Sequence, residues 1–496
     1  MQAALAGLPL AAILAAMIGL RWSAAAAGAL GFALAAGLAL TVFGLGTVRL
    51  AEVGPAGALG GALAEAAFTT ATILWIVFPA LAIYEMQARS GALDRIARAL
   101  AGLSADRRTQ AVLIAWFFGL FMEGAAGFGT PVALAAPLLV GIGYSPMRAV
   151  TLALVGHAAG VSFGAVGTPV LAQVAITEFS PLAVSRTTGL LHAALGGILL
   201  AFLVRLADPA PLRRSDWATA ALAGACFLVP FTLLAAFVGP ELPTLGGALL
   251  GGAAFAAILR ARSGRGERVD GLATAALPYA VVLALVLVTR LIGPLQEPLR
   301  AVEIAWSAAG AFRGTFQPLY HPGTLLLAGF LLGGLAQGRS PGELATAALA
   351  AARRLVLVTL ALVAMLALAR VMVHAGMIRA LAEAAAASGP AWPLLAPSVG
   401  VLGTFVTGSA TASNILFTDF QTATAGALAL PSGLMVAAQG VGAAVGNIVC
   451  PHNVIAGGAT VGLHGREGEV VARTAIPCLA YAAAAGALVL VLAIRA

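Results

Sequence analysis

The sequence predicts an all-α polytopic membrane protein: about 12 transmembrane helices plus two re-entrant helical hairpins, arranged as inverted repeats with two discontinuous helices. Three observations carry this. The 496 residues are 61% hydrophobic and only 9% charged, where a soluble protein carries roughly 25% charged residues. Apolar runs long enough to span a bilayer recur along the whole length, so no soluble domain can be cut out of residues 1–496. Two distant stretches interrupt this apolar text with polar, glycine-rich inserts of the same kind. The first is Phe121 to Pro131 (FMEGAAGFGTP), followed by Gly164 to Pro169 (GAVGTP); the second is Phe405 to Phe417 (FVTGSATASNILF), followed by Gly446 to Pro451 (GNIVCP). Backbone of this kind is tolerated at membrane depth only inside protein or beside a water-filled cavity. Its occurrence in corresponding places points to a transport site between repeats.

The net charge of +8 comes entirely from arginine, since the chain has no lysine. No basic stripe with interleaved aromatics suggests a nucleic acid partner; the arginines lie in short connections, as topology control requires. Cys226, Cys450 and Cys478 have neither metal nor redox spacing. Met1 to Leu20 is apolar with no basic residue ahead of it, which reads as a first span with the N-terminus outside rather than a signal peptide.

Full spans are expected near 3–20, 22–45, 59–84, 145–178, 187–206, 217–237, 244–260, 272–292, 322–338, 355–375, 433–464 and 474–494. Segments 110–143 and 391–430 are each split by a polar insert. Arg89, Arg95, Arg98, Arg107 and Arg108 precede the first and Arg148 follows it. If that segment re-enters, all six fall on one face, together with Arg205, Arg213, Arg214, the cluster Arg260 to Arg268, Arg339 to Arg354, Arg466 and Arg473. The positive-inside rule makes this face cytoplasmic. The second hairpin is then approached from outside, and the C-terminus also ends outside. Repeat one covers about 59–206 and repeat two about 355–494, in opposite orientation, with connecting spans at about 207–338. Segments 145–178 and 433–464 exceed the ~20 residues a straight crossing needs. Each has its G-x4-P element near the middle, where proline removes a donor and disfavours helix before it.

EGAAGFGTPVA at Glu123 to Ala133, VSFGAVGTP at Val161 to Pro169, VGPELP at Val238 to Pro243, TGSATASNILF at Thr407 to Phe417 and TVGLHGRE ending at Glu467 resemble the bacterial L-lactate permease family. The resemblance runs from about residue 60 to the C-terminus. It implies an inner-membrane symporter bringing in 2-hydroxymonocarboxylates such as L-lactate or glycolate with protons. The chain is similar, more distantly, to the ion-transporter superfamily of citrate and dicarboxylate carriers, which implies an elevator motion. Family members commonly have an acid where this chain has Ala410, a base where it has Asn447, and an amide near His157.

Glu123 sits at the first break. An ionisable group inside a membrane segment is costly and proton relays are built from such groups, so it is the first candidate for proton coupling; the competing role is a carboxylate capping the hairpin tip. Asp419, deeper in the second hairpin, and His157 are further coupling candidates, and Glu65 is equally a solvated end residue. Substrate contacts are expected from Gly127, Gly129, Thr130, Gly167, Thr168, Ser409, Thr411, Ser413 and Asn414, where free amides, helix N-termini and hydroxyls suit a hydroxy acid. His452 and Asn453 flank the second break. Arg370 could pair the carboxylate bidentately or snorkel to the outer face.

No HExxH or GxSxG motif and no cofactor motif occurs, which argues against an intramembrane enzyme. Proton-pumping respiratory subunits use buried lysines, absent here. A channel shares interrupted helices but does not accumulate substrate. Sodium is the alternative to protons, because unwound half-helices can coordinate it without a carboxylate. The expected partners are a small carboxylate, the coupling ion and the lipid bilayer; a homodimer is left open.

Overall fold

The computed structural model describes the chain except Arg21, Phe128, residues 264–269, residues 464–465 and Ala496. Phe128 at the first tip, Arg265 and Arg268 of the arginine cluster, and two positions of the TVGLHGRE text thus lie outside the described residues.

The chain opens with α1 (Gln2–Leu14), α2 (Ala24–Thr41) and the long α3 (Gly54–Arg89). A short α4 (Ala92–Ala101) leads to α5 (Arg107–Ala111), which runs through a π-helical stretch, Val112–Phe118, into α6 (Gly119–Ala125). Then follow α7 (Thr130–Gly141), α8 (Pro146–His157), α9 (Gly164–Ile176), α10 (Pro181–Ala207) and α11 (Arg214–Phe237). The middle of the chain holds α12 (Pro243–Ser263), α13 (Leu272–Leu291), α14 (Gly293–Ala301) and an antiparallel hairpin of β1 (Ile304–Ala308) and β2 (Phe312–Phe316). The last part comprises α15 (Pro322–Ala336), α16 (Pro341–His374), α17 (Met377–Ala385), α18 (Trp392–Thr407), α19 (Ala410–Ala427), α20 (Ser432–Gly446), α21 (Pro451–Thr460) and α22 (Glu467–Arg495).

Among the described residues, eleven helices are long and apolar enough to cross a membrane. The count differs from about twelve for definable reasons. The expected spans 3–20 and 322–338 form the shorter apolar helices Gln2–Met17 and Pro322–Ala336, while Met377–Thr407, which begins ahead of the split segment expected at 391–430 and includes its first arm, is long enough to count. The sequence reading drew no element between 292 and 322, yet α14 and the β-hairpin lie there. Ala309 and Gly310, both at positive φ, close the β-turn; the strands are too short and too mixed in polarity to announce themselves.

Both long segments are discontinuous. After α8 the chain tightens into a 3-10 stretch, Ala158–Phe163, and then takes left-handed φ at Ala165 (41°), Val166 (54°) and Gly167 (85°) before continuing as helix. Non-glycine residues seldom adopt this geometry, and it persists only where surrounding structure over-determines it. Between α20 and α21 the helix stops at Asn447 to Cys450 and restarts at Pro451, whose missing N–H costs nothing at a first turn.

These broken helices lie in the interior. The apolar stretch of Pro146–Ile176 is entirely buried, and that of Ser432–Thr460 nearly so. α18 and α20 pack backbone to backbone. A methyl group at Gly442 would strike the Pro397 carbonyl, and Gly400 and Gly446 face Gln439–Ala443 and Val401 in the same way. Small residues permit this approach, and dispersion supplies the attraction.

Candidate substrate and coupling site

The first hairpin folds because glycine releases the chain where helix must stop. α6 ends at Ala125, Gly127 (φ 57°) and Gly129 (φ 82°) turn left-handed, and α7 restarts at Thr130 with Pro131 in its first turn. The Thr130 hydroxyl donates to the Gly127 carbonyl at 2.8 Å, which braces the tip. In the second hairpin α18 stops at Gly408 (φ 76°), and the Ser409 side chain caps α19 by accepting from Ala412 N–H. Thr407 donates to carbonyls of Gly403 and Ser409.

The two tips meet the two breaks. A Cβ on Gly127 would lie 3.2 Å from Ala165 Cβ in the first break, and one on Gly129 would lie 3.2 Å from Asn453 Oδ1 in the first turn after the second break. A Cβ on Gly408 would lie 3.3 Å from His452 Cβ. Both tips therefore abut α21 at its N-terminus. The starts of α7, α19 and α21 and the resumed half of α9 each present free amides and a positive dipole end, an arrangement suited to a carboxylate. Asn453 is buried and donates to Asn447, whereas His452 is exposed.

Glu123 sits against this assembly, only 3% exposed. A side chain at Gly164 would meet its carboxylate and displace it from this position. His157 Nε2 stands 3.9 Å from Glu123 Oε2, and Nδ1 lies 2.7 Å from the Ala153 carbonyl. That bond places a proton on Nδ1, so in the neutral ring the Nε2 lone pair faces Glu123. One proton can be held between carboxyl and ring with no net buried charge.

A family model described as L-lactate permease matches residues 2–291 and 297–495. The chain belongs to the L-lactate permease family. It is 28% identical over 470 residues to the L-lactate permease of Bacillus subtilis, covering 83% of each chain. It is 29% identical over 476 residues to the glycolate permease GlcA of Escherichia coli, covering 84% of each. The L-lactate permease of Streptococcus iniae is 32% identical over 369 residues, which cover 70% of this chain and 77% of the relative. Among solved structures, the YdaH transporter of Alcanivorax borkumensis superposes with a TM-score of 0.54 at 16% identity, covering 94% of this chain and 98% of that one. At that identity the likeness is one of fold.

The remaining candidates of this family member are placed as follows. Asn414 donates to the Pro169 carbonyl at 3.0 Å, tying α19 to α9 just past the first break. Ser413 donates to Gly400 across the second hairpin, and Thr168 to Ala165 across the left-handed turn. Thr411 is buried beside them. Most of the candidate hydroxyls therefore spend their proton on backbone, leaving oxygen lone pairs for a ligand. Arg370 is not a free cation: it donates to Asp419 Oδ2 at 2.7 Å. Asp419 is thereby engaged as well, on the second arm of the hairpin beyond its tip. Glu65, which by sequence is equally a solvated end residue or part of a relay, is 8% exposed and pairs with His374 at 2.7 Å.

Two features escaped the sequence reading. His374 is one. The other is the ion pair of Glu241 and Arg290 at 2.6 Å, with both side chains almost wholly buried. Glu241 lies on the VGPELP loop, whose Pro240 carbonyl blocks any side chain at Gly167. The Thr244 hydroxyl donates to Gly160 at 2.6 Å. The loop thus supports the first unwound stretch from behind, and two opposite charges in otherwise apolar segments were the available signal.

Proposed function

We propose that this permease is a secondary active transporter that carries a lactate- or glycolate-type 2-hydroxymonocarboxylate together with a proton across the bacterial cytoplasmic membrane. The observation that carries the reading is the meeting of both hairpin tips with both helix breaks beside the Glu123–His157 pair. Amides at the starts of α7, α19 and α21 bind the carboxylate, and hydroxyls of Thr130, Thr168 and Ser409 receive the 2-hydroxyl group. Glu123 takes up a proton when substrate enters, which spares the interior a lone charge. Repeats one (59–206) and two (355–494) are inverted, both hairpins re-enter, and both termini lie outside. Motion of the tip assembly against α3 and α16 supplies elevator-like alternating access.

In proteoliposomes, an inward proton gradient should drive L-lactate or glycolate accumulation, and Glu123→Gln should abolish the acceleration by acid outside. Accumulation with full sodium dependence and no response to a pH gradient would sink proton coupling. Sodium is the second reading because two buried amide oxygens, Asn414 Oδ1 and Gln173 Oε1, have no donor. Equilibration without accumulation would instead mark a channel.

A further inference from the structure

We propose that Glu65 and His374 form a second proton-binding site, on the outer side of the second hairpin, and that its occupancy controls whether that hairpin is held against α16. The inference rests on the proton-coupled reading but not on the role of Glu123.

Four ionisable side chains from three helices converge there. His374 Nε2 lies 2.7 Å from Glu65 Oε2, joining α16 to α3. One turn earlier on α16, Arg370 donates to Asp419 of α19 at 2.7 Å. Residues four apart share a helix face, and Asp419 lies within electrostatic reach of both His374 and Glu65. The β-hairpin closes the group: Arg313 N–H donates to Glu65 Oε1 at 3.0 Å, and the Phe312 ring meets His374 edge-on at 5.0 Å. The other charged groups nearby are Arg313, which pairs with Glu178, and Arg49, which lies against Gly376 just beyond His374. The four central side chains are mostly buried, 10–18% exposed, close enough to the surface to exchange protons with water.

Charge balance couples this proton to the hairpin. With Asp419 docked and His374 protonated, two positive and two negative groups cancel. Loss of the proton leaves one uncompensated negative charge. If Asp419 withdraws with α19, a protonated His374 stands beside Arg370 with Glu65 as the sole counter-charge, so the proton is expelled. Proton binding and docking of the second hairpin therefore favour each other, and by linkage each strengthens the other equally. Acid outside closes the hairpin; withdrawal of Asp419 releases the proton. This is a route by which a proton taken from outside licenses the closed, loaded state.

The test uses full-length protein in proteoliposomes with radiolabelled L-lactate and glycolate, outside pH varied at fixed inside pH, and size-exclusion monodispersity as the folding check. Wild-type uptake should climb as outside pH falls. His374→Gln and Glu65→Gln should each flatten that profile by about tenfold. Asp419→Asn should flatten it as well, and the double variant Arg370→Gln with Asp419→Asn should transport better than Asp419→Asn, because a lone buried arginine is removed. A wild-type response retained in both His374→Gln and Glu65→Gln overturns this inference alone. No pH response in the wild type overturns the proton-coupled reading and the inference with it.

Discussion

The two hairpin tips share a backbone design and differ in chemistry. Each stops a helix with left-handed glycine, restarts it within a few residues and rests on a helix break. The described residues of tip one are buried, and a carboxylate and an imidazole stand at its shoulder, Glu123 and His157. Tip two has hydroxyls, Asn414 and a partly open surface at Gly408, Ser409 and His452; its ionisable group, Asp419, stands well along the second arm and is already paired. The same backbone element thus recurs on both sides with its ionisable groups distributed unequally. The shoulder of the first hairpin carries an acid beside an imidazole; the arm of the second carries an acid bonded to an arginine.

The largest effect that could break this contrast comes from Glu123. Glu123→Gln should lower proton-driven uptake about a hundredfold, measured as initial rate at acid outside pH; unchanged rates would make tip one as silent as tip two. Gly164→Ala comes next. It drives a methyl into the Glu123 carboxylate, so uptake should fall as steeply while Gly408→Ala, with only His452 Cβ at 3.3 Å but φ at 76°, loses less. Asn414→Ala removes the α9–α19 bond and should cost about 1–3 kcal/mol of stability, read as a lowered midpoint in thermal unfolding of detergent-solubilised protein. Thr130→Val and Thr168→Val delete braces inside turns and should cost about 1 kcal/mol or less. A tenfold rise in KM for either, without loss of stability, would show its hydroxyl on the substrate and sharpen the assignment.

The backbone plan was legible in the sequence, and the partnerships of side chains were not. Glycine and proline act locally, so GAVGTP and GNIVCP disclosed both helix breaks without knowledge of neighbours. Ion pairs depend on distant chain. Arg370 looked available for a carboxylate because nothing in its own helix predicts Asp419, 49 residues on. Nothing in the chain around His374 points to its partner Glu65, 309 residues away. The β-hairpin that covers them was invisible for a related reason: its strands bury few residues, so their pattern carries little hydrophobic alternation. Glu241 and Arg290 offered a clue of charge in apolar text, but the clue identifies cost and not geometry.

The seam between α18 and α20 bears on mechanics. Gly400, Gly442 and Gly446 let these helices touch main chain to main chain, with no long side chain between them to rotate or bend. Such a joint transmits force and cannot slip by a fraction of a turn without collision. The second hairpin and the second broken helix are therefore joined at this seam as one stiff unit.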